Sequence, residues 1–138
     1  MHYIADEKFD LTLINNHNFD ALILPGGLKG AQIFRENLNL MNTVKAFMQD
    51  ETKIVGSICA SPAVVLAGGG LLEGRESVTC YPGLKDKLKV WTDQPVARSG
   101  NLITSQGPGT AIEFAISLIS ALWDEALALR VKKELMCK

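Results

Sequence analysis

Histidine is nearly absent from this chain. Only His2 and His17 occur, both in the polar opening stretch before any recognisable motif. That scarcity leaves a Cys-His or Ser-His catalytic pair without a partner. Cysteine is almost as scarce: Cys59, Cys80 and Cys137 are all there is. Three such widely spaced thiols give neither a disulfide framework nor metal-ligand spacing, so no metal is expected, and an odd count fits a reducing compartment. A dominant charge sign is missing too: 14 Lys and Arg stand against 15 Asp and Glu, scattered along the chain. Without a basic stripe there is no footprint for nucleic acid. No apolar run is long enough to span a bilayer. The opening MHYIADEKFD lacks the basic-then-apolar order of a signal peptide. A soluble cytoplasmic protein without a membrane role is expected, and 138 residues suffice for one domain with a sizeable core.

What is present is a set of apolar strands that end in small residues. Lys53–Ile58 is short, apolar and β-branched, as a buried strand of a parallel sheet should be. Cys59 follows directly, between Gly56 and Ser57 on one side and Ala60 and Ser61 on the other. Pro62 then suits the first turn of a helix through Ala67. Small neighbours permit a sharp strand-to-helix turn that presents one side chain, as in a nucleophile elbow. A thiol at a helix N-terminus is biased toward the thiolate. A buried apolar cysteine has the same local pattern, so the residues around Cys59 leave both readings open.

Phe19–Leu24 reads as a second strand, and Pro25-Gly26-Gly27 ends it. Ligands of open α/β sheets bind beyond the carboxyl ends of strands. Gly26 and Gly27 would let backbone amides approach an anion there. Asn37–Asp50 reads as an amphipathic helix on Leu40, Val44 and Phe47, with Met41 and Met48 as core filling. Met1–Ile4 is a possible short strand, and Ala5–Asn18 reads as a loop with at most a brief turn. Gly68 to Gly70 ends the central helix. Ser77–Cys80 and Val90-Trp91 read as short strands, with a helical turn or two over Leu84–Leu88. Val96–Arg98 and Asn101–Ser105 flank a Ser-Gly turn. Thr110 is placed as an N-cap, with Glu113 at capping-box distance. The following helix to Trp123 shows a broad apolar stripe of Ile112, Ala115, Ile116, Ile119 and Leu122, predicted to be buried. Asp124–Leu135 reads as a last amphipathic helix. Three strand–helix units therefore argue for a parallel sheet covered on both faces.

Three stretches carry a resemblance: Asp20–Gly27 (DALILPGG), Ile58–Pro62 (ICASP) and Thr104–Phe114 (TSQGPGTAIEF). Gly70–Gly74 and Thr79–Leu88 add to it, all in family order. The chain resembles the ThiJ/PfpI superfamily, in the branch of the Parkinson-disease-associated protein deglycase and its bacterial relatives. The resemblance implies a flavodoxin-like three-layer α/β sandwich with a mostly parallel sheet, class I glutamine amidotransferase-like, and a homodimer. It implies Cys59 as the nucleophile and the backbone of Gly27 and Ala60 as the oxyanion-binding amides. Gly26, Ser61, Tyr81 and Pro82 would line the pocket. The implied activity is a glyoxalase or deglycase acting on small dicarbonyls such as methylglyoxal or their adducts, without a cofactor. Redox sensing or chaperone action through an oxidisable Cys59 is the alternative.

Two departures from the family pattern shape the expectation. The family's opening strand–helix–strand segment, which carries an acid/base glutamate, has no counterpart in this sequence. A single domain over residues 1–138 without that segment is expected: truncated, completed by a separate chain, or working without it. Peptidase-like branches place a histidine after the cysteine, where this chain has Ala60. Another histidine of some members corresponds to Tyr81. Peptidase activity is therefore not expected.

Overall fold

The computed structural model describes residues 4–136. Four strands form one mixed sheet in the order β1-β2-β4-β3: β1 Ala21–Leu24, β2 Ile54–Ile58, β3 Val96–Ser99 and β4 Leu102–Ser105. β1, β2 and β4 run parallel; β3 returns antiparallel to β4 through a hairpin turn at Gly100, whose φ of 61° suits glycine. The register aligns Leu24, Ser57 and Thr104 across the three parallel strands, so their carboxyl ends share one rim.

Alternation along β2 divides the core. Val55 packs with Leu24, Val44, Val65 and Leu66 on one face. Ile54 packs with Ile103 and Phe114 on the other. The first face is covered by α2 (Leu28–Glu36), α3 (Leu38–Gln49) and a wide π-type helix over Pro62–Ala67. The second is covered by α4 (Ala111–Leu122), with α5 (Glu125–Glu134) packed on it. This is the three-layer α/β arrangement expected from the sequence. The α3 stripe is also as expected: Leu40, Met41, Val44 and Met48 are buried, and Asn37 caps the helix by accepting from the Leu40 N–H at 3.0 Å.

Some local expectations fail. Residues 11–16 form a helix, α1, because the Asp10 carboxylate accepts from Thr12 N–H at 2.7 Å and starts the turn. Ser77–Cys80 and Val90-Trp91 meet only as an isolated bridge between Val78 and Trp91. The Thr110–Glu113 capping box does not form, since the Thr110 hydroxyl turns back to accept from Gly107 N–H at 3.0 Å. In α4 only Phe114 is fully buried, and Ile112 is 54% exposed. The residues that face the sheet are Phe114 and Leu118, a different side of the helix from much of the predicted stripe. Met1–Tyr3, His2 and Cys137 lie outside the described residues. His17 is exposed, its ring 5.7 Å from that of Phe19.

At the amino ends of the strands, Arg75 ties the domain together. Its guanidinium donates to Ser99 O at 2.6 Å, to Met48 O at 3.1 Å and to Asn101 Oδ1 at 3.0 Å. Asn101 in turn donates to Phe47 O and Asp50 O, both at 3.0 Å. Burial lowers the Arg75 pKa, partly offset by Glu51. A cleft lined by Met48, Glu51, Arg75 and Asn101 opens here. It lies at the end of the sheet opposite Cys59, and both arginines that line it are already bound by structural acceptors, Arg75 as above and Arg98 by donating to Gly100 O at 3.1 Å.

Candidate functional site

Cys59 stands one residue past the end of β2, with φ of 65°. A non-glycine residue in the left-handed region carries strain that the surroundings must hold. Three loops hold it. The Cys59 N–H donates to Ser105 O at 2.9 Å, at the end of β4. The Cys59 carbonyl accepts from Tyr81 N–H at 2.8 Å, before the short 3₁₀ turn Pro82–Lys87. The Pro25-Gly26-Gly27 loop closes the third side. A Cβ on Gly26 would lie 2.6 Å from Cys59 Cβ and 3.3 Å from its Sγ. The glycine is therefore required by close approach, not by its dihedral angles.

Ser61 fastens that loop to the elbow. It is fully buried, and its hydroxyl donates to Pro25 O across the crevice. Its part in the site is this tie. Ser105 performs a similar task behind the third loop, with its hydroxyl 2.8 Å from Pro95 O and 2.6 Å from Thr110 Oγ1. The GPGT stretch is thus wound by Thr110 and Gly107 so that Ser105 O can receive the Cys59 N–H.

The N–H groups of Gly26, Gly27, Ala60 and Ser61, around the thiol, have no acceptor among the described residues, and two of them stand at the positions expected to receive an oxyanion. Gly27, with φ of 95°, precedes α2, and its N–H has no acceptor among the described residues. The N–H of Ala60, a residue only 4% exposed, has none either. Gly27 is exposed, so water can serve its N–H, whereas a buried unpaired amide such as that of Ala60 is rare and calls for a reason. Cys59 itself is half-buried, Tyr81 is 51% exposed, and Pro82 lies at the surface beside it. The helix after the elbow has six residues and a π-type winding. Any dipole contribution from so short a helix is small.

Cys80 is the second described thiol, and it is inert by placement. It is fully buried, its Sγ donates to Tyr81 O at 3.3 Å, and burial, with the neighbouring Cys59, pushes its pKa up to about 11. No carboxylate or imidazole hydrogen-bonds Cys59 among the described residues. No cluster of three or more His, Cys, Asp or Glu able to hold a metal occurs among them either. Among the described residues no helix is long and apolar enough to cross a membrane.

The sequence pointed to Gly26, Gly27, Cys59, Ala60 and Tyr81, and the structure brings them together at one rim. It did not reveal the Ser61–Pro25 tie, the Ser105–Thr110 pair or the Arg75 clamp. A short-side-chain hydroxyl beside an elbow was the only signal for the first. Nothing local in the sequence announces the other two.

The mostly parallel α/β sheet, with a strained cysteine elbow against a Gly-Gly loop, has the class I amidotransferase-like fold. The chain belongs to the DJ-1/PfpI family, whose model matches residues 1–121. It is similar to Protein DJ-1 homolog B of Arabidopsis thaliana, 39% identical over 135 residues, covering 94% of this chain and 29% of that protein. It is similar to Protein dj-1beta of Drosophila melanogaster, 35% identical over 130 residues, covering 91% of this chain and 68% of that one. The crystal structure of Drosophila DJ-1beta superposes with a TM-score of 0.82 at 33% identity, over 93% of this chain and 69% of that one. The glutathione-independent glyoxalase DJR-1.2 of Caenorhabditis elegans is 36% identical over 113 residues, 79% of this chain and 58% of that protein. The chain thus spans less than a third of the plant relative and 58% to 68% of the two animal ones.

Proposed function

We propose that this protein uses Cys59 as a nucleophile toward small 2-oxoaldehydes such as methylglyoxal, or toward their adducts, in glyoxalase or deglycase chemistry. The observation that carries the reading is the strained Cys59 packed against Gly26, with the unpaired N–H groups of Gly27 and Ala60 beside it. In the first step the thiolate sulfur bonds to the aldehyde carbon. The carbonyl π electrons move to oxygen, and the resulting alkoxide is received by the two amides. Protonation of that oxygen gives the hemithioacetal. Moving the C1 proton to C2 then converts the hemithioacetal to a lactoyl thioester and requires a base, and attack of water on the thioester carbonyl breaks the C–S bond, releasing lactate and the Cys59 thiol. Among the described residues no carboxylate or imidazole hydrogen-bonds Cys59, so the base must reach the hemithioacetal carbon rather than the resting thiol. The 36% identity to a glyoxalase supports the substrate class.

The test is lactate formation from methylglyoxal, followed in the chain, in Cys59→Ala and in Cys80→Ala. Activity lost only in Cys59→Ala supports the reading. Peroxide-driven sulfinate at Cys59 with no turnover under any condition would replace it with a redox-responsive role.

A further inference from the structure

A row of residues just inside the rim is polar where its layer is otherwise apolar. The register aligns Leu24 of β1, Ser57 of β2 and Thr104 of β4. Two residues earlier, Val55 and Leu102 pack into the core beneath α2, α3 and the π-type helix. Alternation turns Ser57 and Thr104 to the same face. Both are fully buried, one residue below the level at which Ser105 O receives the Cys59 N–H. Thr79 is also fully buried, and it lies over this spot, because its N–H donates to Thr104 Oγ1 at 2.9 Å.

The hydroxyls of this group do not satisfy one another. Ser57 Oγ and Thr79 Oγ1 have no hydrogen-bond partner among the described residues. Thr104 Oγ1 accepts from Thr79 N–H, and its own hydrogen has no acceptor among them. Ser57 and Thr104 are register neighbours on strands about 5 Å apart, yet their hydroxyls do not bond. Burying a hydroxyl without a partner is costly, and native interiors contain few such groups. Two in one layer, beside a third with an idle hydrogen, mark a place for a group that both donates and accepts. Water does both, and in protein interiors it typically makes about three hydrogen bonds to groups of this kind. A larger ligand has no entry, since all three side chains are fully enclosed.

We propose that a resident water molecule is held between Ser57, Thr79 and Thr104, beneath the Cys59 elbow. The Thr104 hydroxyl donates to it, and its own two hydrogens go to Ser57 Oγ and Thr79 Oγ1. The water joins β2 and β4 to the segment over residues 78–81. That segment ends in Tyr81, whose N–H holds the Cys59 carbonyl at 2.8 Å. Ser57 and Thr79 are therefore positioning residues for the nucleophile, acting through the water and not by touching substrate. The competing arrangement is a direct bond between Ser57 and Thr104 after rotation of a hydroxyl, which leaves Thr79 Oγ1 bare. The proposal holds whatever Cys59 reacts with.

The test is a set of double-mutant cycles on urea unfolding, built from Ser57→Ala, Thr79→Val and Thr104→Val, which delete hydroxyls without adding bulk. With the water in place, Ser57→Ala and Thr79→Val each lower the folding equilibrium constant by about three- to tenfold. The pair is less than multiplicative, because the first substitution already releases the water. A dry site gives the opposite sign, since deleting an orphaned hydroxyl raises the constant. A direct bond between Ser57 and Thr104 couples those two and leaves Thr79 independent. Either of these results overturns the proposal. In a crystal structure of the chain, a density peak within hydrogen-bond distance of all three oxygens supports it, and its absence from well-ordered density refutes it. Alkylation of Cys59 by iodoacetamide in the folded protein should change in both Ser57→Ala and Thr79→Val; the parental rate in both removes the positioning role. Lactate formation from methylglyoxal is read separately, so its failure bears on the catalytic reading alone.

Discussion

Replacing Gly26 by alanine should disarm Cys59 through geometry alone. The new Cβ would start 2.6 Å from Cys59 Cβ, and ordinary contact begins at 3.4 Å, so loop and elbow must part by about 0.8 Å. Neither side yields readily. The loop is tied by Ser61, and the elbow is held from both ends of its peptide by Ser105 and Tyr81. Overpacking of this kind costs about 1–3 kcal/mol of stability. A displacement near 1 Å in a reacting group costs up to about 100-fold in rate. The companion variant Gly27→Ala separates crowding from backbone strain. Nothing lies within 4 Å of its added Cβ, but φ of 95° is hostile to alanine, at a cost also of about 1–3 kcal/mol. Both variants should therefore unfold at lower urea. Only Gly26→Ala should change the rate of Cys59 alkylation by iodoacetamide, a reaction that needs no oxyanion amide. The reasoning is refuted if Gly26→Ala alkylates at the parental rate, or if Gly27→Ala shows the larger change.

Three further outcomes follow from the same structure. Ser61→Ala deletes the hydroxyl that holds Pro25 O and should cost about 1–3 kcal/mol in urea unfolding, together with slower methylglyoxal turnover; unchanged stability would remove the tie from the account. Arg75→Ala leaves the carbonyls of Ser99 and Met48 and the Asn101 side chain without their donor, and should destabilise by about 2 kcal/mol or more while Cys59 alkylation in the folded protein stays at the parental rate. Cys80 gives a pH signature. Its folded pKa of about 11 exceeds the ordinary 9.0, so above pH 9 the unfolded chain binds fewer protons than the folded one. Its contribution to stability is complete below pH 9 and falls as pH rises toward 11. Cys80→Ala should flatten that part of the stability profile, and an unchanged slope would refute the assignment.

How much of this could be read from the chain alone depends on the range of the interaction involved. β1, β2 and the β3–β4 hairpin were legible because their apolar runs are bounded by glycine, proline or serine. α3 was legible because Asn37 caps a clean periodic face. The short helix α1 was not, since one Asp10 side chain nucleates it within a polar stretch. Thr110 misled because a threonine before a helix has two outlets for its hydroxyl, and closing the Gly107 turn won over capping α4. The α4 stripe was correctly apolar but wrongly called buried, because periodicity reports which residues prefer burial, not whether this chain provides the cover. At the site, Cys59 and the Gly26-Gly27 loop were legible as two strand ends on one rim. Ser61, Ser105 and Arg75 act across distances in sequence that no local pattern encodes.

The grip on Cys59 through Ser105 O and Tyr81 N is made by peptide groups. Every residue type other than proline brings the same N–H to position 81, so the pose of the thiol is insulated from side-chain change there, whereas Ser105 also holds its loop through its hydroxyl. The phenol at position 81 can be exchanged for another side chain, altering what the rim admits, without unseating the sulfur. The surface around the thiol can thus drift while the sulfur keeps its address.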